Sequence, residues 1–377
     1  MLVALLAVRL LDESTSFVLP GTFESLRADL DLTYSQASSA FLAIAVGAVA
    51  GGLATVAADY RSRRVIAGGG ALASAAALLV IGAADSYGLF LTGAFMVGAA
   101  STAMVDTCEI ALADLAGDDY LEDHLTVQNV WGSVGDLLGP AIVVAVAALG
   151  LSWRVSYVVG AALVLAYGAW LASLPFPPPH PHEDGYRVGS AVVSVLRDPS
   201  VWLVGLGVML LGPLDEPMLA FLIAHLQQAR GLTETGATLI AALSVVGALA
   251  GYATLRRWTS ALASDAALLA LATSALVAAP DALTASGVSL LVGVFLVRVW
   301  VALQARVLRV RPGQAGTVKA VVALVETTGW GLPLLAGAVA DRTNVTAGLA
   351  AYAAVAWALA GITVLLVRTC RTATVEA

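Results

Sequence analysis

Long apolar runs alternate along this chain with short polar breaks. A helix needs about 20 mostly apolar residues to cross the roughly 30 Å hydrocarbon layer of a bilayer at about 1.5 Å per residue. Twelve runs meet that requirement. Six lie at about 2–24, 36–57, 64–84, 88–114, 126–149 and 152–174, and six at about 200–226, 235–255, 262–280, 283–306, 317–340 and 345–367. The longest polar, proline-rich stretch, "PFPPPHPHEDGYRVGSAVVSVLRDPS", separates the sixth run from the seventh. The pattern predicts an all-α polytopic membrane protein with twelve transmembrane helices. They form two pseudo-symmetric six-helix bundles, 1–175 and 200–377, joined by a cytoplasmic linker at 176–199.

The halves also resemble each other. "LTYSQA" at 32–37 and "VGAVAG" at 46–51 return as "LTETGA" at 232–237 and "VGALAG" at 246–251. The acid pair Asp12-Glu13 returns as Asp215-Glu216, each in the first run of its half. Spacings of 200 residues for the two motifs and 203 for the acid pair, preserving the order of the runs, point to duplication. Gly47/Gly51 and Gly247/Gly251 are small-residue pairs one turn apart, which we assign to close helix packing.

Composition supports burial in lipid. Of 377 residues, 59% are hydrophobic and 12% charged, against about 25% charged in soluble chains. Mean hydropathy is +0.89. The net charge of -7 argues against nucleic acid as a partner. Counting arginines at the ends of the runs gives twelve on one side and four on the other, which predicts that both termini are cytoplasmic, in the cell membrane. Met1 leads straight into apolar sequence without a basic region, so no signal peptide is expected. "HPHED" at 180–184 lies in the linker and reads as a solvated connection, not a metal site. Trp153, Trp202 and Trp258 read as interfacial anchors. Without a phosphate-cradling glycine loop an ATP-driven pump is disfavoured, and no cofactor is expected.

Charges inside the runs are the candidate chemistry. "GPLDEP" at 212–217 sets two acids between two prolines in the seventh run. Pro213 and Pro217 lack N–H groups, so the carbonyls of Met209 and Pro213 lose their helical partners. Such a break is tolerated at membrane depth only inside protein or beside a wet cavity, and in repeat-built transporters it marks the binding site. Asp12, Glu13, Asp106, Glu109, Asp136 and Glu326 also lie within runs, with Arg9 and Arg298 as bases at comparable depth. At about 2.5–3.5 kcal/mol each, eight charged and unpaired acids would cost roughly 20 kcal/mol. Arg9 reaches Asp12 and Glu13 at i+3 and i+4, so Glu13 reads either as structural or as functional. An acid-rich interior suits proton or sodium coupling and a cationic or polar neutral solute.

Twelve runs in two repeated halves resemble the Major Facilitator Superfamily over the whole chain. "TVAADYRSRR" at 55–64 is similar to the family's G-x-x-x-D-R-x-G-R-R loop: Asp59, Arg63 and Arg64 match, whereas Thr55, Tyr60 and Ser62 depart from it. The resemblance implies that these three help latch the cytoplasmic side. "GDLLGPAIVV" at 135–144 is similar to the antiporter motif at Gly135, Gly139 and Pro140, although helix packing accounts for those residues equally well. The fourth run lacks the arginine that many proton-coupled relatives carry there. In the family the first, fourth, seventh and tenth spans line the cavity, which would bring Arg298 near Asp215 and Glu216. The expectation is a monomeric secondary transporter, not an enzyme, working by alternating access and exporting its solute by proton antiport. Uptake by cation symport is the alternative. A transporter-shaped sensor would call for a large soluble signalling domain, and only about ten residues follow position 367.

Overall fold

A computed structural model describes residues 1–56, 62–116, 121–177, 194–255, 262–311 and 315–373. Asp59, Trp258, most of the predicted linker and the "HPHED" stretch lie outside these residues. The chain folds as two compact units, one of Met1–Glu183 with Thr233–Leu239, the other of Asp184–Leu232 with Ile240–Ala377. Every described segment within the predicted runs is helical apart from short breaks, and no peptide bond is cis.

In the first unit, α1 (Leu2–Leu6), α2 (Val8–Ser16) and α3 (Val18–Asp29) together form the first span. The sequence pattern predicts one helix there. The interruption at Ala7 has a cause: the Tyr167 hydroxyl donates to the Ala4 carbonyl at 2.8 Å, competing with the helical donor of that oxygen. At Phe17, Ser14 and Thr15 hydroxyls donate back to Leu11, and Pro20 withholds an N–H from Ser16. Spans two to six are α4 (Tyr34–Val56), α5 (Arg63–Gly82), α6 (Tyr87–Ala116), α7 (Leu121–Ala148) and α8 (Arg154–Ser173). Arg154 gathers the ends of three spans. It donates to the Gly82 and Ala84 carbonyls at 2.9 and 2.6 Å and pairs with Asp29 at 2.8 Å. Trp153 is buried beside it with its indole N–H on Asp29, so it is a packed residue and not the interfacial anchor that its position suggested. Trp202, by contrast, is exposed near the start of the seventh span.

The second unit repeats the plan. The seventh span is α9 (Pro199–Leu211), a 3-10 turn at Gly212–Leu214, and α10 (Glu216–Arg230). The break falls where the two prolines predict it, with Asp215 outside helical geometry at φ -99 and ψ -122. Then follow α11 (Glu234–Leu255), α12 (Leu262–Ala278), α13 (Ala282–Arg309), α14 (Ala315–Gly329), α15 (Leu332–Arg342) and α16 (Val345–Ala373). The eleventh span, predicted as one helix, is therefore two. Pro333, near the start of α15, has no N–H for the Gly329 carbonyl, and the glycines either side of Trp330 hold the chain in a helix only weakly. Ten described helical segments are long and apolar enough to cross a membrane, and Leu262–Ala278 is a shorter apolar helix.

Glycine positions show how the repeat packs. A Cβ added at Gly47 or Gly51 would fall on the Phe95 or Ala99 carbonyl, and one at Gly98 on that of Ile44. In the second unit, Gly247 meets Leu290 and Gly293 meets Ser244 in the same way. Spans two and four, and spans eight and ten, thus touch backbone to backbone. With lipid supplying no hydrophobic drive, such close approach supplies the packing.

Two ion pairs, each with a buried arginine, join neighbouring spans. Arg63, 3% exposed, pairs with Asp114, tying α5 to α6. Arg298 and Asp265, 4% and 6% exposed, pair at 3.2 Å and tie α13 to α12, with Thr254 accepting a further bond from Arg298 at 3.3 Å.

Thermal unfolding of the purified protein tests both kinds of contact. Gly293→Ala drives a methyl into the Ser244 carbonyl and should cost about 1–3 kcal/mol, whereas Gly287→Ala, with nothing within 4 Å on the same helix, should be neutral or stabilising. Arg298→Met or Asp265→Asn should each cost about 3–5 kcal/mol, and the double Arg298→Met/Asp265→Leu variant should recover most of the loss. Additive losses in the double variant would show that the two side chains do not face each other.

Candidate functional site

In the first unit the in-span acids converge on one base. Arg9, on α2, donates from Nε to Glu109 Oε1 at 3.0 Å, and its Nη2 lies 2.8 Å from the same oxygen. Its Nη1 lies 3.7 Å from Asp12 and 3.6 Å from Glu13. Ser101, on α6, donates to Asp12. The local pairing read from the i+3 and i+4 spacing is therefore present, and Glu109 of the fourth span joins it. The fifth span leaves room: a Cβ at Gly132 would lie 3.5 Å from Glu13 Cγ and 3.6 Å from Arg9 Cβ. Gly135 sits against the Leu10 carbonyl and Gly139 against that of Ser14, so these motif glycines make the packing contact between spans one and five. The cluster stays partly open, with the Arg9 side chain 33% exposed. Asp106 and Asp136 are half-buried on α6 and α7.

One guanidinium faces three carboxylates here. At these distances Glu109 is its close partner, and Asp12 and Glu13 are looser ones. Among the described residues this cluster sets three carboxylates around one guanidinium within a membrane span.

In the second unit the arrangement differs. Asp215 is exposed at the break in the seventh span, and among the described residues its carboxylate has no side-chain partner. Its backbone N–H donates to the Gly212 carbonyl at 3.2 Å. Glu216 is half-buried in the first turn of α10. Across from the break, Glu326 and Trp330 of the eleventh span border Gly212: a Cβ at 212 would meet Glu326 Oε1 at 3.8 Å and the Trp330 ring at 3.9 Å.

Arg298 departs from expectation. Its guanidinium is paired with Asp265 on the ninth span and donates to Thr254 on the eighth. Asp265 was visible as an acid in "LASDAALL", but sequence spacing carries no sign that it faces a residue 33 positions away. Arg63, read as part of a latch, is buried against Asp114 at the end of the fourth span, while Asp59 lies outside the described residues. Among the described residues no group of three or more His, Cys, Asp or Glu is arranged to hold a metal ion.

The repeat is offset here by about one helical turn. Gly329 lies against the Met209 carbonyl as Gly135 does against Leu10. In that register Gly212 takes the place of Glu13, and the acid pair of the second half lies about a turn further along its span.

A family model of the Major Facilitator Superfamily matches residues 2–334. No curated protein matches the chain. Among solved structures, the chain is similar to a bacterial homolog of the human lysosomal transporter Spinster in an inward-facing and occupied conformation. That match has 16% identity and a TM-score of 0.74, covering 97% of this chain and 94% of that one. It is similar to the nucleoside transporter NupG at 16% identity and a TM-score of 0.75, covering 97% and 96%. A POT family transporter in complex with 5-aminolevulinic acid matches at 11% identity and a TM-score of 0.74, covering 97% and 95%. At these identities the structures share the fold. With twelve spans, the break in the seventh and the match over most of its length, the chain belongs to the Major Facilitator Superfamily and is a secondary transporter of that kind, working by alternating access.

Proposed function

We propose that the protein exports a small polar or cationic solute in exchange for protons. The observation that carries this reading is the cluster of Asp12, Glu13 and Glu109 on the single base Arg9, at the meeting of the first and fourth spans. Because Glu109 holds Arg9 closely, Asp12 or Glu13 can gain and lose a proton while that ion pair persists. A partly exposed acid of this kind can pass its proton to water on the side to which the site is open. The negative balance favours cations and polar neutral solutes and repels bulk anions. The likeness of Gly135, Gly139 and Pro140 to the antiporter motif supports export over uptake. We further place the monomer in the cell membrane with both termini cytoplasmic, on the strength of the arginine bias. The halves 1–175 and 200–377 are joined by the linker 176–199, and Asp59, Arg63 and Arg64 form a cytoplasmic latch.

The test is flux in vesicles. Wild-type protein is reconstituted, a thermal-shift screen supplies a bound solute, and its movement is followed under pH gradients of either sign. Export driven by inward proton flow is expected, and accumulation running with the protons would instead show symport. Asp12→Asn should lower proton-driven flux at least about tenfold, since one pK unit of lost coupling is already that factor. Exchange of solute down its own gradient should survive. Unchanged proton-driven flux in both Asp12→Asn and Glu13→Gln would remove the cluster from the coupling step.

A further inference from the structure

The three carboxylates at Arg9 are not alike. Glu109 takes the close contacts of the guanidinium, from Nε at 3.0 Å and from Nη2 at 2.8 Å. Glu13 lies against the fifth span, where a Cβ at Gly135 would stand 3.1 Å from its own Cβ. Asp12 turns instead to the fourth span and accepts the Ser101 hydroxyl. Arg9 Nη1 stands 3.7 Å from Asp12, beyond hydrogen-bond reach, so that contact is an attraction between charges only. Among the described residues, the Ser101 hydroxyl therefore gives Asp12 the one side-chain hydrogen bond that its carboxylate receives.

A hydroxyl is a partner that suits both states of an acid. It donates to the carboxylate, and once the acid has taken a proton it rotates to accept the new O–H. A guanidinium can only donate, and it would be left facing a neutral carboxyl. Asp12 can thus change its charge without orphaning a polar group, and its side chain stays 17% exposed, within reach of a proton. On the elements packed against α2, the titratable groups at this level are Asp106, Cys108 and Glu109 of α6, Asp136 of α7 and Tyr167 of α8, with Arg9 and Glu13 on α2 itself. Tyr167 gives its hydroxyl to the Ala4 carbonyl.

We propose that Asp12 is the acid of this cluster that exchanges the proton, and that Ser101 is its positioning residue, holding it in both charge states and setting the pH at which it releases the proton. This rests on the reading of the cluster as the proton-coupling site and divides it in two. Arg9 and Glu109 form the standing pair, and Ser101 and Asp12 the pair that changes. A hydrogen bond to the charged acid is stronger than one to the neutral acid, so the hydroxyl favours release. Without it, Asp12 keeps its proton to a higher pH.

The experiment is an infrared pH titration of the full-length protein in lipid nanodiscs, with the proton as the only ligand. A carboxyl C=O band that grows on acidification and is missing in Asp12→Asn reports Asp12. Ser101→Ala should raise the midpoint of that band by about one pH unit, a tenfold change in proton affinity, and move the band to higher frequency as its hydrogen bond is lost. Ser101→Thr keeps the hydroxyl and should return both toward wild type. Thr102→Val removes the neighbouring hydroxyl, on a residue whose Cβ lies 2.9 Å from where a Cβ at Gly51 of span two would stand, and should leave the midpoint in place. Should Ser101→Ala fail to fold, Ser101→Cys takes its place, and its weaker thiol donor should give a smaller upward shift. Absence of any band that Asp12→Asn removes would overturn the proposal, as would an unmoved midpoint in the folded Ser101→Ala or Ser101→Cys variant. Equal shifts in Ser101→Ala and Ser101→Thr would do the same, since they mark a packing defect and not a lost hydroxyl. Proton-driven flux keeps the two readings apart. Flux that Asp12→Asn lowers, beside an unmoved Ser101→Ala midpoint, would sink the role of Ser101 alone. The expected infrared shifts, without flux under a pH gradient of either sign, would sink the coupling reading alone.

Discussion

Hydrocarbon offers no partner to a charge or to a backbone amide, and the internal architecture of this protein follows from that deficit. Each ionised side chain placed in a span must find an opposite charge, a hydroxyl or water. The described ion pairs meet the requirement across helices: Arg9 joins the first span to the fourth, Arg63 and Asp114 the third to the fourth, and Arg298 and Asp265 the tenth to the ninth. In the first half the arginine stands on span three and the aspartate on span four; in the second half the aspartate is on span nine and the arginine on span ten. The two pairs differ in depth as well as in sign, with Asp114 near the end of its span and Arg298 well inside its own.

The same deficit governs the uncharged packing. Lipid tails are as apolar as leucine, so helices adhere through shape and close contact. Glycine against a carbonyl brings two backbones nearer than any other residue permits, and the chain places such contacts at corresponding points of both halves. Where the backbone is interrupted, at Gly212–Asp215 and at Trp330–Gly331, the bordering residues belong to spans seven and eleven, which pack on each other. The two stretches of irregular backbone therefore lie together, with Glu326 and Trp330 beside Gly212.

Much of this was legible in the sequence because it depends on local pattern. Span length is a property of one segment, the Pro213 and Pro217 break follows from the absence of two N–H groups, and Arg9 reaches Asp12 and Glu13 by helical spacing alone. Features that arise between helices were not. Glu109 as the close partner of Arg9, Asp114 as that of Arg63, and Asp265 as the residue that claims Arg298 all depend on which faces meet after packing. The interruption at Ala7 is of this kind too, since its cause, the Tyr167 hydroxyl, comes from the sixth span. The break at Trp330–Gly331 had a local signal in "GWGLP", but with a single proline at its far edge that signal is weaker than the doubled proline of the seventh span.

The glycine-to-carbonyl contacts bear on how a carrier of this design can bend. Two helices locked along their backbones resist sliding, because any shift drives Cα atoms into oxygens; each such couple behaves as a stiff strut. A strut cannot absorb the stroke of a transport cycle. Flexure falls more easily on joints whose i-to-i+4 ladder is interrupted, at residues 212–215 and 330–331, where the tighter bonds from Asp215 N–H to Gly212 and from Gly331 N–H to Thr328 are what turning the chain would disturb. The two joints face each other where spans seven and eleven pack, so that a turn at one of them is felt at the other.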